Sequence, residues 1–460
     1  MNEERLAANA EQLEGALRPK VRAAMPVVRA ELERLARIPS MSAPGFDPAR
    51  VRESALVTAD MLRGAGADTR IVERTDAHPA VVGRVQGPAG SPTVLLYAHH
   101  DVQPPGARDR WRSDPFVPTE RDGRLYGRGV KDDKSGVAAH AMALRAWGGS
   151  PPVNVALFVE GEEESGSAHL GEFLAAERES LDAEVVIIAD STNWRLGRPA
   201  ITTSMRGTVM CNVEVQVADH AAHSGSFGGV IPDAHMVMSR LLASLHDDKG
   251  CVAVEGLLSM DADPLDLTDD DVRGLVGARP SVQLIGTGSL TSRLWRQPAI
   301  SIIGLDATPV AEASGTIWPT TRARISLRVP PGLAAGVARD ALVRHLKTHV
   351  PWGAEVTVTA DWIGEPFTTV TGGPVHRAFS QALTVSWGIP SIDIGHGGSI
   401  PFLFDFARLF PKATLLISGT GGPESMAHAE NESLHLGDFE NACVAEAVFL
   451  GLMASVGPAA

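Results

Sequence analysis

Two short stretches hold residue types that can do chemistry. Tyr97-Ala-His-His-Asp-Val-Gln-Pro104 ends an apolar run with imidazoles and a carboxylate, and downstream lies Leu125-Tyr-Gly-Arg-Gly-Val-Lys-Asp-Asp-Lys134. Histidine and aspartate are metal-grade ligands, and the end of a strand is where α/β enzymes keep their sites. In an extended chain successive side chains alternate faces, so His99 and Asp101 point one way and His100 the other. His99 can then bind a metal while Asp101 holds or orients its ring. Taken alone, a metal-free His-Asp hydrogen bond is the plainer reading of that pair. Recurrence tips the balance. Asp132-Asp133 follows Gly-Arg-Gly, Glu162-Glu163-Glu164 follows the run Val153 to Val159, and Asp190 closes the run Ala183 to Ala189. Three acids after a strand crowd negative charge at one edge of a sheet unless a cation neutralises it. Near the end, Met426-Ala-His-Ala-Glu-Asn-Glu432 offers His428 in a polar loop, where by itself a histidine would simply face solvent.

Such residues need elements to position them. Val21, Ala24, Met25, Val28, Leu32 and Leu35 recur at three- and four-residue spacing and predict an amphipathic helix over 20–37. Runs at Thr93 to Ala98, Val153 to Val159 and Ala183 to Ala189 are apolar without alternation, as strands covered on both faces are. Ser135 to Trp147 is Ala- and Leu-rich without proline and suits a crossover helix. From Thr208 to Val217, and again at Ala323 to Val329 and Glu355 to Thr359, apolar and polar residues alternate, which predicts an antiparallel sheet with one wet face. Ala334 to His349 reads as a helix of that second module and residues 261–282, acidic with Pro and Gly, as a loop. Val375 to Val385 and Thr414 to Ile417 return to helix and buried strand. The expected architecture is an α/β catalytic domain with a buried mixed sheet, residues 1–206 and 367–460, interrupted by an inserted α+β domain, residues 207–366.

Composition narrows the function. The chain has 460 residues, 44% of them hydrophobic, and a formal charge of −14. That is enough chain for two or three cored domains, and the acidity argues against nucleic acid as a partner. Cys211, Cys251 and Cys443 are far apart and form no thiolate-zinc spacing. No stretch has the length and apolarity of a membrane span, and the acidic N-terminal residues do not resemble an export signal, so a cytoplasmic setting is expected.

Taken together, HxD, GRGxxDDK, EEESGS, the strand-ending Asp190, AHSG and AHxxNE resemble the carnosinase branch of the dinuclear metallopeptidases. That superfamily also holds aminoacylase, acetylornithine deacetylase and succinyl-diaminopimelate desuccinylase. The resemblance runs over roughly residues 95 to 435, with the motifs in the same order. It implies a zinc-exopeptidase type of fold with the insertion as lid and dimer contact. It also implies two divalent ions per subunit, zinc with manganese or cobalt as alternatives. His99 and Asp190 would hold one, Glu164 and His428 the other, and Asp132 would bridge them through a cis Asp132–Asp133 peptide. Glu163 would be the general base and Asp101 the orienter of His99, although the residues by themselves do not separate Glu162 from Glu163. Two dications against Asp132, Asp190 and Glu164 leave a charge of about +1, which a bridging hydroxide would neutralise.

The resemblance further implies that His223, in Ala222-His-Ser-Gly225, stabilises the oxyanion, that Arg328 grips a substrate carboxylate, and that Gly398 and Ser399 line the substrate pocket. One departure stands out. Where carnosinase-like dipeptidases have Arg-Glu before Gly-Gly-Ser, this chain has Gly395-His396, so an acidic anchor for a free amino group is missing and His396 could accept an amide hydrogen instead. The expected activity is hydrolysis of an amide in a small peptide. An N-acyl-amino-acid deacylase is the alternative, and a silent binding protein on the same fold the remote one.

Overall fold

The computed structural model describes residues 2–398 and 402–456. Its chain divides into two compact units, Met1–Thr203 with Thr369–Ile394 and Pro401–Ala460, and Ser204–Thr368 with Gly395–Ile400. The return of Gly395–Ile400 to the second unit lies outside the expected boundaries.

The first unit is built on a mixed sheet. Its strands are β1 (Asp68–Val72), β2 (Ala80–Val85), β3 (Thr93–His99), β4 (Asn154–Glu160), β5 (Val185–Ile188) and β6 (Thr414–Ile417), in the spatial order β1-β2-β4-β3-β5-β6. β4, β3, β5 and β6 are parallel neighbours, and β2 pairs antiparallel with both β1 and β4. β3, β4 and β5 are buried almost throughout, which accounts for their unbroken apolar sequences. The helices Glu3–Ala36, Lys134–Ala146, Pro374–Trp387 and Leu436–Val456 pack together around the core that covers this sheet.

The first helix is longer than its sequence suggests. It runs over Glu3–Ala36 with Pro19 and Pro26 inside it. A proline inside a helix removes one backbone hydrogen bond at about 3 kcal/mol. Here neither proline is buried, while Leu6, Ala10, Leu17, Val21, Val28, Leu32 and Leu35 form a continuous buried stripe that outweighs the cost. Asn2 caps the start, its side chain accepting from the Arg5 N–H. At the other end the buried Lys134 donates from Nζ to the carbonyls of Leu35 and Ile38, at 3.0 and 2.8 Å.

The second unit carries a four-stranded antiparallel sheet in the order Ala299–Asp306, Thr320–Val329, Gly207–Gln216, Glu355–Gly364. Helices Ala234–Ala243 and Ala335–His349 share its core with Val209, Cys211, Val213, Ile325 and Leu327. The acidic stretch expected as loop includes a short helix, Asp269–Val276, started by a capping box between Thr268 and Asp271 and without a buried residue. Among the described residues no helix is long and apolar enough to cross a membrane.

Candidate metal centre

Three neighbouring strands, β3, β4 and β5, deliver their carboxyl ends to one place. His99 ends β3 with its side chain fully buried. Its Nδ1 lies 3.2 Å from the Asp101 carbonyl and 3.3 Å from Asp101 Oδ1. Oxygens on that side hold the ring hydrogen at Nδ1 and turn the Nε2 lone pair outward. Nε2 faces Asp132 Oδ1 at 3.2 Å and Asp190 Oδ2 at 3.9 Å. His100 points to the opposite face, where its Nε2 meets the Pro79 carbonyl at 3.0 Å.

Asp132 stands on the loop ahead of helix Lys134–Ala146, and the Asp132–Asp133 peptide is cis. Its Oδ2 lies 3.1 Å from His428 Nε2, which is also 3.2 Å from Glu164 Oε2. Among the described residues two sets bring all their ligand atoms within 4.8 Å of one another: His99, Asp132 and Asp190, and Asp132, Glu164 and His428. Asp132 is common to both. His428 is held at φ +64°. That left-handed conformation costs a non-glycine residue about 1 kcal/mol or more, and such strain gathers at functional sites.

Glu163 joins neither set, and its Oε2 lies 4.0 Å from His99 Nε2. Glu162 is engaged elsewhere, accepting from the His169 N–H at 2.7 Å and the His78 N–H at 3.2 Å. The two acids thus have different surroundings, Glu162 held by backbone amides and Glu163 beside the candidate ligand atoms. Asp101 does more than face His99. Its Oδ1 accepts from the Glu163 N–H at 3.2 Å, and its Oδ2 from the Glu164 N–H at 3.0 Å and from Ser42 Oγ at 2.6 Å. Gln103 grips Glu164, with its backbone N–H 3.1 Å from Oε1 and its Nε2 2.9 Å from Oε2. Sequence reasoning passed over Ser42 and Gln103. Gln103 lies inside the quoted His-His-Asp-Val-Gln run, whereas nothing near Ser42 marks it.

The electrostatics ask for a cation. Burial, and then the charge of Asp132, push Asp190 up to about 6. Burial, and then Asp190, hold Glu163 well above the usual carboxylate range. Carboxylates that repel in a buried site, with imidazole lone pairs aimed among them, fit a pair of dications, and an all-nitrogen-and-oxygen donor set suits zinc, manganese or cobalt.

The other expected site residues lie in the second unit. His223, exposed on the short strand Ala222–His223, accepts the Gly225 N–H at Nδ1 at 3.0 Å, so a neutral ring carries its hydrogen on Nε2. Arg328, half-buried on Thr320–Val329, donates from Nη1 to Thr208 Oγ1 at 2.6 Å. His396 Nδ1 takes the Gly398 N–H at 3.1 Å. In that bond Nδ1 is the acceptor, so a neutral ring carries its hydrogen on Nε2. Ser399 falls outside the described residues.

Residues 95–450 match the model of Peptidase family M20/M25/M40. The chain belongs to that family. This M20 peptidase is 34% identical over 410 residues to the cysteinylglycine-S-conjugate dipeptidase of Corynebacterium striatum, which covers 86% of this chain and 89% of the relative. It is 28% identical over 409 residues to the Beta-Ala-His dipeptidase of Rattus norvegicus, covering 82% of each. The crystal structure of human carnosine dipeptidase 1 superposes with a TM-score of 0.78 at 25% identity, over 96% of this chain and 99% of that one. The protein is therefore an enzyme, a metal-dependent peptide hydrolase with the mixed α/β fold of its family. The reading as a silent binding protein falls away.

Proposed function

We propose that this M20 peptidase is a dipeptidase, with the ligand sets sharing Asp132 as the seat of two divalent ions. That shared carboxylate is the observation that carries the reading. His99 and Asp190 complete one position, Glu164 and His428 the other. When bound, two such ions would polarise a carbonyl and lower the pKa of a bound water toward about 7. Glu163, beside the ligands and bound to none, takes the water's proton on its carboxylate and passes it to the departing amine. Asp101 keeps His99 in the tautomer that presents Nε2 and fixes the turn that carries Glu163 and Glu164.

The second unit supplies the substrate contacts. His223, with its hydrogen set on Nε2 by Gly225, is the donor to the developing oxyanion. Arg328 receives the substrate carboxylate, and His396, Gly398 and Ser399 line the pocket for its amino end. His223 acts across a homodimer. Phe227, Val230 and Ile231, which follow it, are exposed, as are Ile302, Ile303 and Leu305 on the edge strand Ala299–Asp306, and a second copy would cover such apolar surface. Cys211, Cys251 and Cys443 are unpaired, which suits the reducing cytoplasm.

The printed activities of the relatives suggest Cys-Gly and its S-conjugates, or β-Ala-His, as substrates. The Gly395-His396 departure favours a second reading, deacylation of N-acyl amino acids. Assaying free dipeptides against their N-acetyl counterparts, with zinc and with manganese, separates the two. Turnover of the free dipeptides is expected, and turnover confined to the N-acetyl compounds would replace dipeptidase by deacylase.

A further inference from the structure

Behind the ligands lies an ion pair with no part in the chemistry above. Arg128 and Glu432 are both fully buried, and Arg128 Nη1 meets Glu432 Oε2 at 2.7 Å. The carboxylate takes three further donors, the N–H of Gly129 on Oε2 at 3.1 Å and those of Lys131 and Asp132 on Oε1 at 2.9 and 3.1 Å. Those amides belong to the loop that delivers Asp132. The other guanidinium nitrogen, Nη2, donates to the carbonyls of Pro104, His428 and Ala429 at 3.2, 3.2 and 3.3 Å. One ion pair therefore ties together the loop after Asp101, the loop before Asp132 and the loop bearing His428. The face of Trp111, 5.6 Å from the guanidinium carbon, closes the site.

The two ligand sets depend on this pair unequally. His99 is fully buried and gripped by Asp101. The His428 side chain is 57% exposed. With little packing around it, its position is set by its backbone, and Arg128 binds that backbone at its own carbonyl.

We propose that Arg128 and Glu432 are positioning residues that act more strongly on the affinity of the ion held by Asp132, Glu164 and His428, where they fix two ligand-bearing loops, than on that of the ion at His99, where they reach only the shared Asp132. The proposal rests on the two-metal reading. Groups behind metal ligands that orient them typically change affinity 10- to 100-fold when removed.

Calorimetric titration of manganese into chelator-stripped protein tests it, on wild type, Glu432→Gln and Arg128→Lys, with His428→Ala marking which binding event belongs to the exposed set. Glu432→Gln keeps the shape but places an amide N–H against buried donors. Arg128→Lys keeps the charge and loses the fork, and it decides the matter if the first variant does not fold. The expected result is two events in wild type, with the His428 event weakened about 10- to 100-fold in the variants and the other event, which shares Asp132, weakened distinctly less. Two events of wild-type strength in a folded variant overturn the proposal, as does equal weakening of both events, whatever the melting temperature. If wild type itself binds fewer than two ions, the two-metal reading fails first and this inference with it.

Discussion

Glu163 and Asp190 show how position decides the role of a carboxylate. Both are partly buried acids whose proton affinity is raised by burial and by charged neighbours, yet Asp190 belongs to one candidate ligand set and Glu163 stands outside both. Replacing Glu163 by Gln is expected to lower kcat by about 10²- to 10⁴-fold, the usual contribution of a general base. Metal content, read by atomic emission, should stay at the wild-type level. A variant with full turnover, or one that had lost its metal, would remove Glu163 from the role of base. His223→Ala should reduce kcat by about 10²- to 10³-fold, the effect of deleting one oxyanion donor. An unchanged kcat would leave His223 as no more than the residue that begins the helix Ser224–Phe227.

Elements decide whether those residues arrive. The helix Glu3–Ala36 supplies much of the first core, and truncating its buried Leu32 to Ala should cost roughly 2–5 kcal/mol in urea unfolding. Lys134→Met, which removes two buried hydrogen bonds at that helix's end while the Ile38 and Ser40 N–H groups still serve the two carbonyls, should cost about 0.5–1.5 kcal/mol per bond lost. A melting temperature unmoved by either change would contradict the packing described above. β3 to β5 were readable in the sequence because strands covered on both faces need unbroken apolar runs, and for the same reason their polar residues pile up where the strands end. That put His99, Asp101, Glu163, Glu164 and Asp190 at the sheet's carboxyl edge before any coordinates. The first half of the N-terminal helix was hidden because Pro19 interrupts a stripe that only burial reveals, whereas Pro26 lies within the stretch that reads as helix. His428 and the Arg128–Glu432 pair were hidden for another reason. Their partners are far along the chain, and no local period records a tertiary contact. His428 stands out only through the joint resemblance.

For the molecule as a whole, two dependences follow. Exhaustive chelation should abolish turnover, and adding back zinc, manganese or cobalt should restore it. Full activity after chelation would end the metal reading. In the proposed homodimer, lysine in place of both Ile302 and Leu305 on the exposed edge strand should give a monomer in sedimentation with reduced turnover; a fully active monomer would end the cross-subunit role of His223. The division into units also has a temporal side. The second unit is drawn mainly from one continuous stretch, Ser204–Thr368, whereas the first needs Thr369–Ile394 and Pro401–Ala460 to finish. As the ribosome works from the N-terminus, the middle of the polypeptide can settle before the framework around it is whole. His428 follows the whole of Ser204–Thr368 in the chain, so the second ligand set of the proposed centre is completed only after that stretch has been made. Ribosome-stalled chains ending near residue 410 should leave Met1–Thr203 open to protease while Ser204–Thr368 is already resistant, and the reverse order would refute this timing.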